Sequence, residues 1–595
     1  MSIVAQIKKI TAEAIKELYN ISLDENAIQV NATKPEFEGD YAVVLFGFIK
    51  QLKKSPDALG NEIGNYFLQK HLGLYTSFNI IKGFLNLVIA DEYWTGFLHA
   101  NYNNPAFGKS QPNGKKVMVE YSSPNTNKPL HLGHLRNNFL GWSTAAILEA
   151  NGYDIVKTCI VNDRGIHICK SMIAWQLFAN SATPQSTNTK GDHFVGDYYV
   201  KFNDEYKRQV ELLINNGMPK DIAEKEADIM KGAQQMLLDW EAGKSEIVEL
   251  WKTMNSWVYE GFDVTYKKIG SDFDRIYYES QTYLLGKGLV EQGLQKGVFY
   301  KKEDGSVWID LTADGLDEKL VMRKDGTSVY MTQDIGLAVN KYKEYKYDQS
   351  IYVVGDEQIY HFKVLKLICQ KLGLPSADGI YHLSYGMVEL PSGKMKSREG
   401  TVVDADDIIE EMINIARQKT EELGKVKDFT ADELTESYNT IGLGALKFFL
   451  LRVDPKKRMV FNPEESIDFH GFTGPYIQFT YARTKSILRK LETTEGLQLV
   501  FVKKSALLPL EKTVIKELEQ FSSIIDDACV DHDPSKIAIY IFNLAKTFTA
   551  FLTEHSVLTA ETEEKKALRL QLAQLTAQAI KTGMGLMGIS VPERM

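Results

Sequence analysis

Cysteine is scarce in this chain: four residues in 595 (Cys159, Cys169, Cys369, Cys529), far apart and with no C-x-x-C pair. That spacing argues against a structural zinc and against a disulfide framework, and points to a reducing cytoplasm. Long apolar runs are also missing. The longest, such as "YAVVLFGFI" from Tyr41, fall short of the ~18 residues that suggest a membrane span. The first twenty residues space their apolar side chains at helical intervals and break them with Lys8, Lys9, Glu13 and Lys16, so they lack the apolar core of an export signal. The expectation is a soluble cytoplasmic protein. Surplus positive charge is absent as well: 69 Lys plus Arg face 78 Asp plus Glu, a net −9. Any surface for a polyanion must therefore be local. Residues 441–490 qualify, with nine basic side chains, among them Lys447, Arg452, Arg483 and Arg489, against four acidic ones. A solvated helix face would carry the same pattern.

What is present is enough for several domains. At 595 residues the length exceeds one core, and 44% hydrophobic with 25% charged residues is a globular composition throughout. Residues 1–105 read as a small α+β unit, closing on a strand in "FNIIKGFLNLVI". The Pro-, Gly- and Asn-rich "NNPAFGKSQPNGKK" (103–116) marks a boundary. From 117 to 404 short apolar strands alternate with amphipathic stretches, the pattern of a parallel α/β sheet. A polar, helix-rich insertion at about 176–257 interrupts it, and strands resume at "VFYKKEDGSVWIDL", "SVYMT", "QSIYVVG" and "IYHLSYGMVEL". From 405 to 595 strand signals vanish and helical periodicity takes over. No internal repeat or low-complexity tract is visible.

The common phosphate-binding fingerprint is absent: Gly243-Lys244-Ser245 would need a glycine at 238, where Leu238 stands. In its place is "NTNKPLHLGHLRNN" (125–138), between a strand and a helix. Such a turn aims helix N-terminal amides at an anion. Gly133 leaves the backbone bare for a flat base or ribose, and His131 and His134 are placed to donate to phosphate oxygens whose charge grows during displacement. Two histidines without a third ligand do not make a metal site, so no protein-held metal is expected. Downstream, "LPSGKMKSREGTVV" (390–403) is a Gly-flanked basic loop with Lys394, Lys396 and Arg398 available to a polyphosphate. Together the two segments suit expulsion of pyrophosphate from a nucleoside triphosphate.

"HLGH" with "KMKSREG" resembles the two signature motifs of class I aminoacyl-tRNA synthetases. The longer strings "VEYSSPNTNKPLHLGHLRNN", "KGDHFVGDYYV", "YMTQDIG", "TGPYIQFTYAR" and the final "VPERM" resemble the arginyl-tRNA synthetase family nearly end to end. The resemblance implies a Rossmann-like catalytic domain at 117–404. It implies an N-terminal domain that touches the tRNA elbow and an all-α anticodon-binding bundle at the C-terminal end. It also implies ATP with Mg²⁺ as cofactor, L-arginine and tRNA(Arg) as partners, a monomer, and a two-step reaction through arginyl-adenylate that awaits tRNA. His131, His134, Lys128 and Lys394 would be catalytic; Gly133, Lys396, Ser397 and Arg398 would join them around ATP.

A guanidinium is a planar cation with five donors, so its pocket needs a carboxylate and planar acceptors. Tyr330 and Asp334 are four apart and share a face if "YMTQD" is helical; Gln358 follows a sheet strand. By itself Asp334 reads as a capping or surface carboxylate. By motif match Tyr330, Asp334 and Gln358 hold the arginine side chain, and Glu120, Ser123 and Asn125 hold its α-amino and carboxylate groups. Motif match also makes Phe84 and Asn86 elbow contacts, and Tyr476, Arg483 and Met595 anticodon contacts. Tyr476, Phe479 and Tyr481 would otherwise be helix core. Two departures stand out. The second lysine of the second signature is Ser397 here, and the resemblance implies that Lys128, upstream of the first signature, supplies the charge in its place. In "NDRGIHI", His167 stands where many relatives have glutamine.

Overall fold

The computed structural model describes residues 2–34, 36–389, 391, 403–423, 428–492 and 506–595. Helix α1 (Ile3–Tyr19) buries Ile3, Ile7, Ile10, Ala14 and Ile15 on one face; Ser2 caps it, and Asn20 ends it in the left-handed region at φ 55°. Strands β1 (Val30–Ala32), β2 (Tyr41–Val44), β3 (Tyr75–Ile81) and β4 (Phe84–Ile89) form an antiparallel sheet in the order β1-β2-β4-β3. Helices α2 (Phe46–Leu52), α3 (Pro56–Lys70) and α4 (Asp91–Asn101) complete this unit. "FNIIKGFLNLVI", expected as one strand, is a hairpin. Lys82 at φ 49° and Gly83 at φ 81° turn the chain in two residues, the positive-φ pair that matches strand twist. Lysine in place of the usual Asn or Asp hides that turn in the sequence.

The second unit is built on a five-stranded parallel sheet of β5 (Lys116–Glu120), β6 (Asp154–Val161), β7 (Arg275–Tyr278), β11 (Gln349–Gly355) and β12 (Ile380–Tyr385). Its order is β12-β11-β5-β6-β7. The chain leaves β5 in one direction toward β6 and β7 and later returns on its other side as β11. The crevice at the carboxyl ends of β5 and β11 is therefore the topological switch point, where ligands bind in such sheets. Helix α5 (Leu132–Ala150) begins there, just after β5, and α6 (Ile166–Phe178) follows β6. The insertion consists of α7 (Pro184–Thr187), α8 (Gly191–Asn215), α9 (Lys220–Glu226), α10 (Asp228–Glu241) and α11 (Ser245–Ile269). After β7 come α12 (Glu279–Thr282) and α13 (Lys287–Gln295). A small antiparallel sheet follows, from β8 (Tyr300–Lys301), β9 (Val307–Ile309) and β10 (Lys319–Met322), and then α14 (Tyr330–Tyr345) and α15 (Ile359–Lys371).

"SVYMT", expected as a strand, instead opens α14 at Tyr330. Its β-branched and aromatic residues favour a strand locally, but Thr332 and Ile335 bury on a helical face, and that packing overrides propensity. The C-terminal part holds α16 (Ala405–Leu423), α17 (Ala431–Leu451), α18 (Pro463–Ser466), α19 (Gly474–Glu492), α20 (Pro509–Asp531), α21 (Ser535–Glu554) and α22 (Glu563–Leu586). Among the described residues, one short strand departs from the all-helical expectation: β14 (Met459–Val460) pairs in parallel with β13 (Val388–Glu389). Two residues are too few to show a period.

The first and last units pack on each other. Glu519 Oε1 accepts the Ile3 N–H at 2.6 Å, Lys512 and Lys516 reach Asp40 at 3.1 and 3.3 Å, and the Phe107 and Phe521 rings lie 5.5 Å apart. Among the described residues, no helix is long and apolar enough to cross a membrane.

Candidate active site

Immediately after β5 the backbone takes two consecutive left-handed residues, Ser122 at φ 79° and Ser123 at φ 47°. Such conformations cost of order 1–3 kcal/mol each and persist only where the surroundings over-determine them. Here Asn137 Oδ1 accepts the Ser122 N–H at 2.5 Å, and the Ser122 hydroxyl lies 2.6 Å from Tyr266 Oη and accepts from Asn138 Nδ2 at 3.2 Å. Asn137 also donates to the Val353 carbonyl of β11 at 2.7 Å. Helix α5 thus clamps both strands of the switch point.

His131 is the N-cap of α5, and His134 is its third residue. Gly133 N–H donates to His131 Nδ1 at 3.1 Å, and His131 N–H donates to His134 Nδ1 at 3.1 Å. An Nδ1 that accepts leaves the ring proton on Nε2. Burial first, and the Lys128 ammonium second, push His131 down to about 4, with Asp404 opposing. Burial, His131 and Lys128 hold His134 well below its usual range. Both rings are therefore neutral at physiological pH and carry one Nε2–H donor each, with centroids 3.9 Å apart. A Cβ on Gly133 would meet the His131 ring at 2.9 Å. Glycine is needed for the histidine's own placement, a reason the sequence does not reveal.

A second group of side chains gathers carboxylates. Asp334 on α14 holds His361 Nε2 at 2.6 Å. Glu279, at the start of α12, is pushed up to about 7 by burial, relieved by Arg164 and reinforced by the charges of Asp163 and Asp334. Asp163 accepts from Ser280 N–H at 2.8 Å, from Ser280 Oγ at 2.6 Å and from Tyr259 at 3.0 Å, which fixes α12 to the end of β6. A cavity of about 500 Å³ is lined by Glu279, Tyr330, Arg164, Tyr283, Arg323 and Gln333, among others. Tyr330 is largely exposed at its edge, and the Arg164 guanidinium lies 4.0 Å over the Tyr283 ring. Neither Glu279 nor His361 is signalled by the sequence, because nothing at either position departs from an ordinary surface residue.

A family profile described as "tRNA synthetases class I (R), catalytic domain" matches residues 99–462. One described as "Arginyl tRNA synthetase N terminal domain" matches 5–89, and "DALR anticodon binding domain" matches 477–595. The arginine–tRNA ligase of Flavobacterium psychrophilum is 51% identical, with 98% of each chain covered, and that of Parabacteroides distasonis is 51% identical over the whole of both. The chain belongs to the arginyl-tRNA synthetase family. The fold agrees: the Thermus thermophilus arginyl-tRNA synthetase superposes with a TM-score of 0.79 at 24% identity over all of both chains.

Within this synthetase the expected residues fall into three groups. His131, Gly133, His134, Ser123 and Asn125 stand at the carboxyl end of β5, with Asn125 bridging to Asn162 after β6. Tyr330, Asp334 and Gln358 stand on α14 and just past β11, Gln358 exposed. Lys394, Lys396, Ser397 and Arg398 lie outside the described residues, although the chain re-enters beside the first signature: Leu132 N–H donates to the Val403 carbonyl at 3.4 Å and Ala405 N–H to that of Leu130 at 3.0 Å. Glu120 is the last residue of β5. It is buried in an ion pair with Lys341, which itself lies 5.1 and 5.4 Å from the Tyr352 and Tyr277 rings. A carboxylate on that face of β5 must be matched by a cation from α14. His167 Nδ1 lies 3.1 Å from Tyr199 Oη on α8.

The RNA-facing expectations divide by burial. Phe84 meets the exposed Phe46 edge-on at 5.6 Å, whereas Asn86 is buried and donates to Asn79 at 2.8 Å. On α19, Arg483 is exposed and Tyr476 half-buried against Phe542 at 5.4 Å, but Tyr481 is core. Met595 packs at the rim of the same core.

Proposed function

We propose that this synthetase charges tRNA with arginine by seating ATP on the N-terminus of α5 and the arginine guanidinium among the carboxylates of α12 and α14. The observation that carries the reading is the pairing of two neutral Nε2–H imidazoles with a separate carboxylate group, both at the carboxyl edge of one parallel sheet. Neutral donors bind phosphate oxygens without the desolvation cost of a buried cation, and they strengthen as charge develops on those oxygens. Lys128, Lys394, Lys396 and Arg398 supply charge to the departing pyrophosphate, Ser397 offers it a hydroxyl donor, and the substrate carboxylate attacks the α-phosphorus. The terminal ribose of tRNA(Arg) then takes the arginyl group. Glu120, Ser123 and Asn125 frame the amino acid's backbone end, Glu120 through its ion pair with Lys341.

Mg²⁺ is read as travelling on the triphosphate, as this hard cation does when few protein carboxylates are on offer. The one group among the described residues with ligand atoms close enough for an ion, Asp192, His193 and Asp406, already takes the Lys190 ammonium at 2.6 Å from Asp406 and 3.1 Å from Asp192. Phe84, Tyr476, Arg483 and Met595 contact the tRNA, with Asn86 shaping the strand beneath. The functional division is 1–105, 117–404 and 405–595, and the protein works as a cytoplasmic monomer.

Charging of a tRNA pool with each amino acid in turn tests the assignment: arginine alone is taken up, and a different amino acid charged in its stead refutes it. Pyrophosphate exchange without tRNA stays near background. Because the Glu279 carboxyl titrates at about 7, its charge is present above that pH and lost as pH falls through it. The arginine KM is therefore expected to rise as pH drops from 8 to 6, and Glu279→Gln to flatten that profile; an unaltered slope in the variant removes Glu279 from the pocket. For Arg483→Ala, the dependence of tRNA affinity on salt should weaken by about one phosphate contact.

A further inference from the structure

The string "KGDHFVGDYYV" (190–200) has no part in the chemistry described so far, yet it forms the start of α8 and packs with unusual closeness. A Cβ on Gly191 would lie 1.9 Å from the Trp257 carbonyl oxygen, and one on Gly196 would lie 2.8 Å from Pro129 Cδ and 3.6 Å from Lys128 Cα. Gly196 therefore lets α8 rest directly on Lys128 and Pro129, a short step ahead of the first signature. One turn earlier, His193 Nε2 stands 3.2 Å from both Asp404 Oδ2 and Asp406 Oδ2. Lys190 Nζ donates to Asp406 at 2.6 Å and to Thr265 at 2.6 Å, and Thr265 in turn donates to Asp406 Oδ1 at 3.0 Å.

Asp404 and Asp406 begin α16, with Asp404 Oδ1 accepting the Asp406 N–H at 2.7 Å. Asp404 also forms an antiparallel bridge with His131. One short helical segment thus holds both sides of that bridge: Gly196 stands against Lys128–Pro129, and Lys190 together with His193, whose imidazole Asp404 and Asp406 push up to about 10, stands against the paired carboxylates at the start of α16.

We propose that the first two turns of α8 brace the start of α16 against the first signature segment, and that His193 and Lys190 are positioning residues for adenylate formation. They act through Asp404 and Asp406 rather than on substrate. Without the cations, the two carboxylates repel and the Asp404 side of the bridge shifts from His131. A misplacement of about 1 Å at reacting groups is enough to cost on the order of 100-fold in rate. The proposal rests on reading His131 and His134 as the ATP contacts.

The test uses the full-length chain with saturating tRNA, varied ATP and varied arginine. His193→Gln keeps the size and removes the charge. It is expected to lower kcat by about 10- to 100-fold while the arginine KM stays within about two-fold and thermal unfolding within a few degrees. Combined with Asp404→Asn, its loss should be smaller than the product of the two single losses, because the groups act on each other. A folded His193→Gln with wild-type kcat, or a double variant whose losses simply multiply, overturns the proposal. If His193→Gln does not fold, Lys190→Met is read by the same criteria. His134→Gln is assayed alongside. If it retains wild-type ATP-dependent charging, the reading of the paired imidazoles fails; if it is impaired while His193→Gln is not, only the brace fails.

Discussion

Asp334→Asn raises the arginine KM by about 100-fold and leaves the ATP KM within about two-fold. The substitution keeps shape and removes one negative charge. Breaking a buried charge pair costs about 3–5 kcal/mol, but the Asp334 side chain is 38% exposed, so solvent screens part of that loss and about 2.7 kcal/mol, or 100-fold, is the expected size. Glu279 and Asp163 remain beside it, so binding weakens without disappearing. The amide also presents an N–H toward a guanidinium that has only donors, a mismatch that adds to the lost charge. Steady-state charging kinetics with arginine varied at saturating ATP, and the reverse, give the two constants. An unchanged arginine dependence would place Asp334 outside the pocket and leave it as the partner of His361 alone.

His131→Asn is expected to lower kcat by 10²- to 10³-fold, the loss typical of removing one preorganised donor from a developing oxyanion. Asparagine is itself a good N-cap, so α5 keeps its start and the loss reports chemistry rather than unfolding. The neutral form matters here. With His131 titrating at about 4, the ring is uncharged across pH 6–9, and no activity step in that range arises from it. Single-turnover adenylate formation in the presence of tRNA measures the effect. A wild-type rate in a folded variant would leave the phosphates to the backbone amides of α5 and to Lys128.

Part of the candidate site's geometry was legible because it is local in the chain. The H-x-G-H spacing places a cap and the third helical residue on one turn, and any strand–turn–helix carrying it builds the same pair of rings. Tyr330 and Asp334 share a face because four residues are about one helical turn. The hairpin at Lys82–Gly83 and the helix opening at Tyr330 were obscured for the opposite reason: the first lacks the usual turn residues, and the second has strand-like residues whose burial favours a helix.

The sequence by itself determined the order of the units, the elements at the ends of β5 and β11, and the residue types able to meet a triphosphate and a guanidinium. Only the tertiary structure decided that Glu120 turns to Lys341, 221 positions away, that Glu279 shares its field with Asp163 and Asp334, and that His193 stands against Asp404. Periodicity and spacing encode what one helical turn or one strand presents. The energy of a buried charge depends on which distant group packing brings opposite it, and that is a property of the folded chain alone.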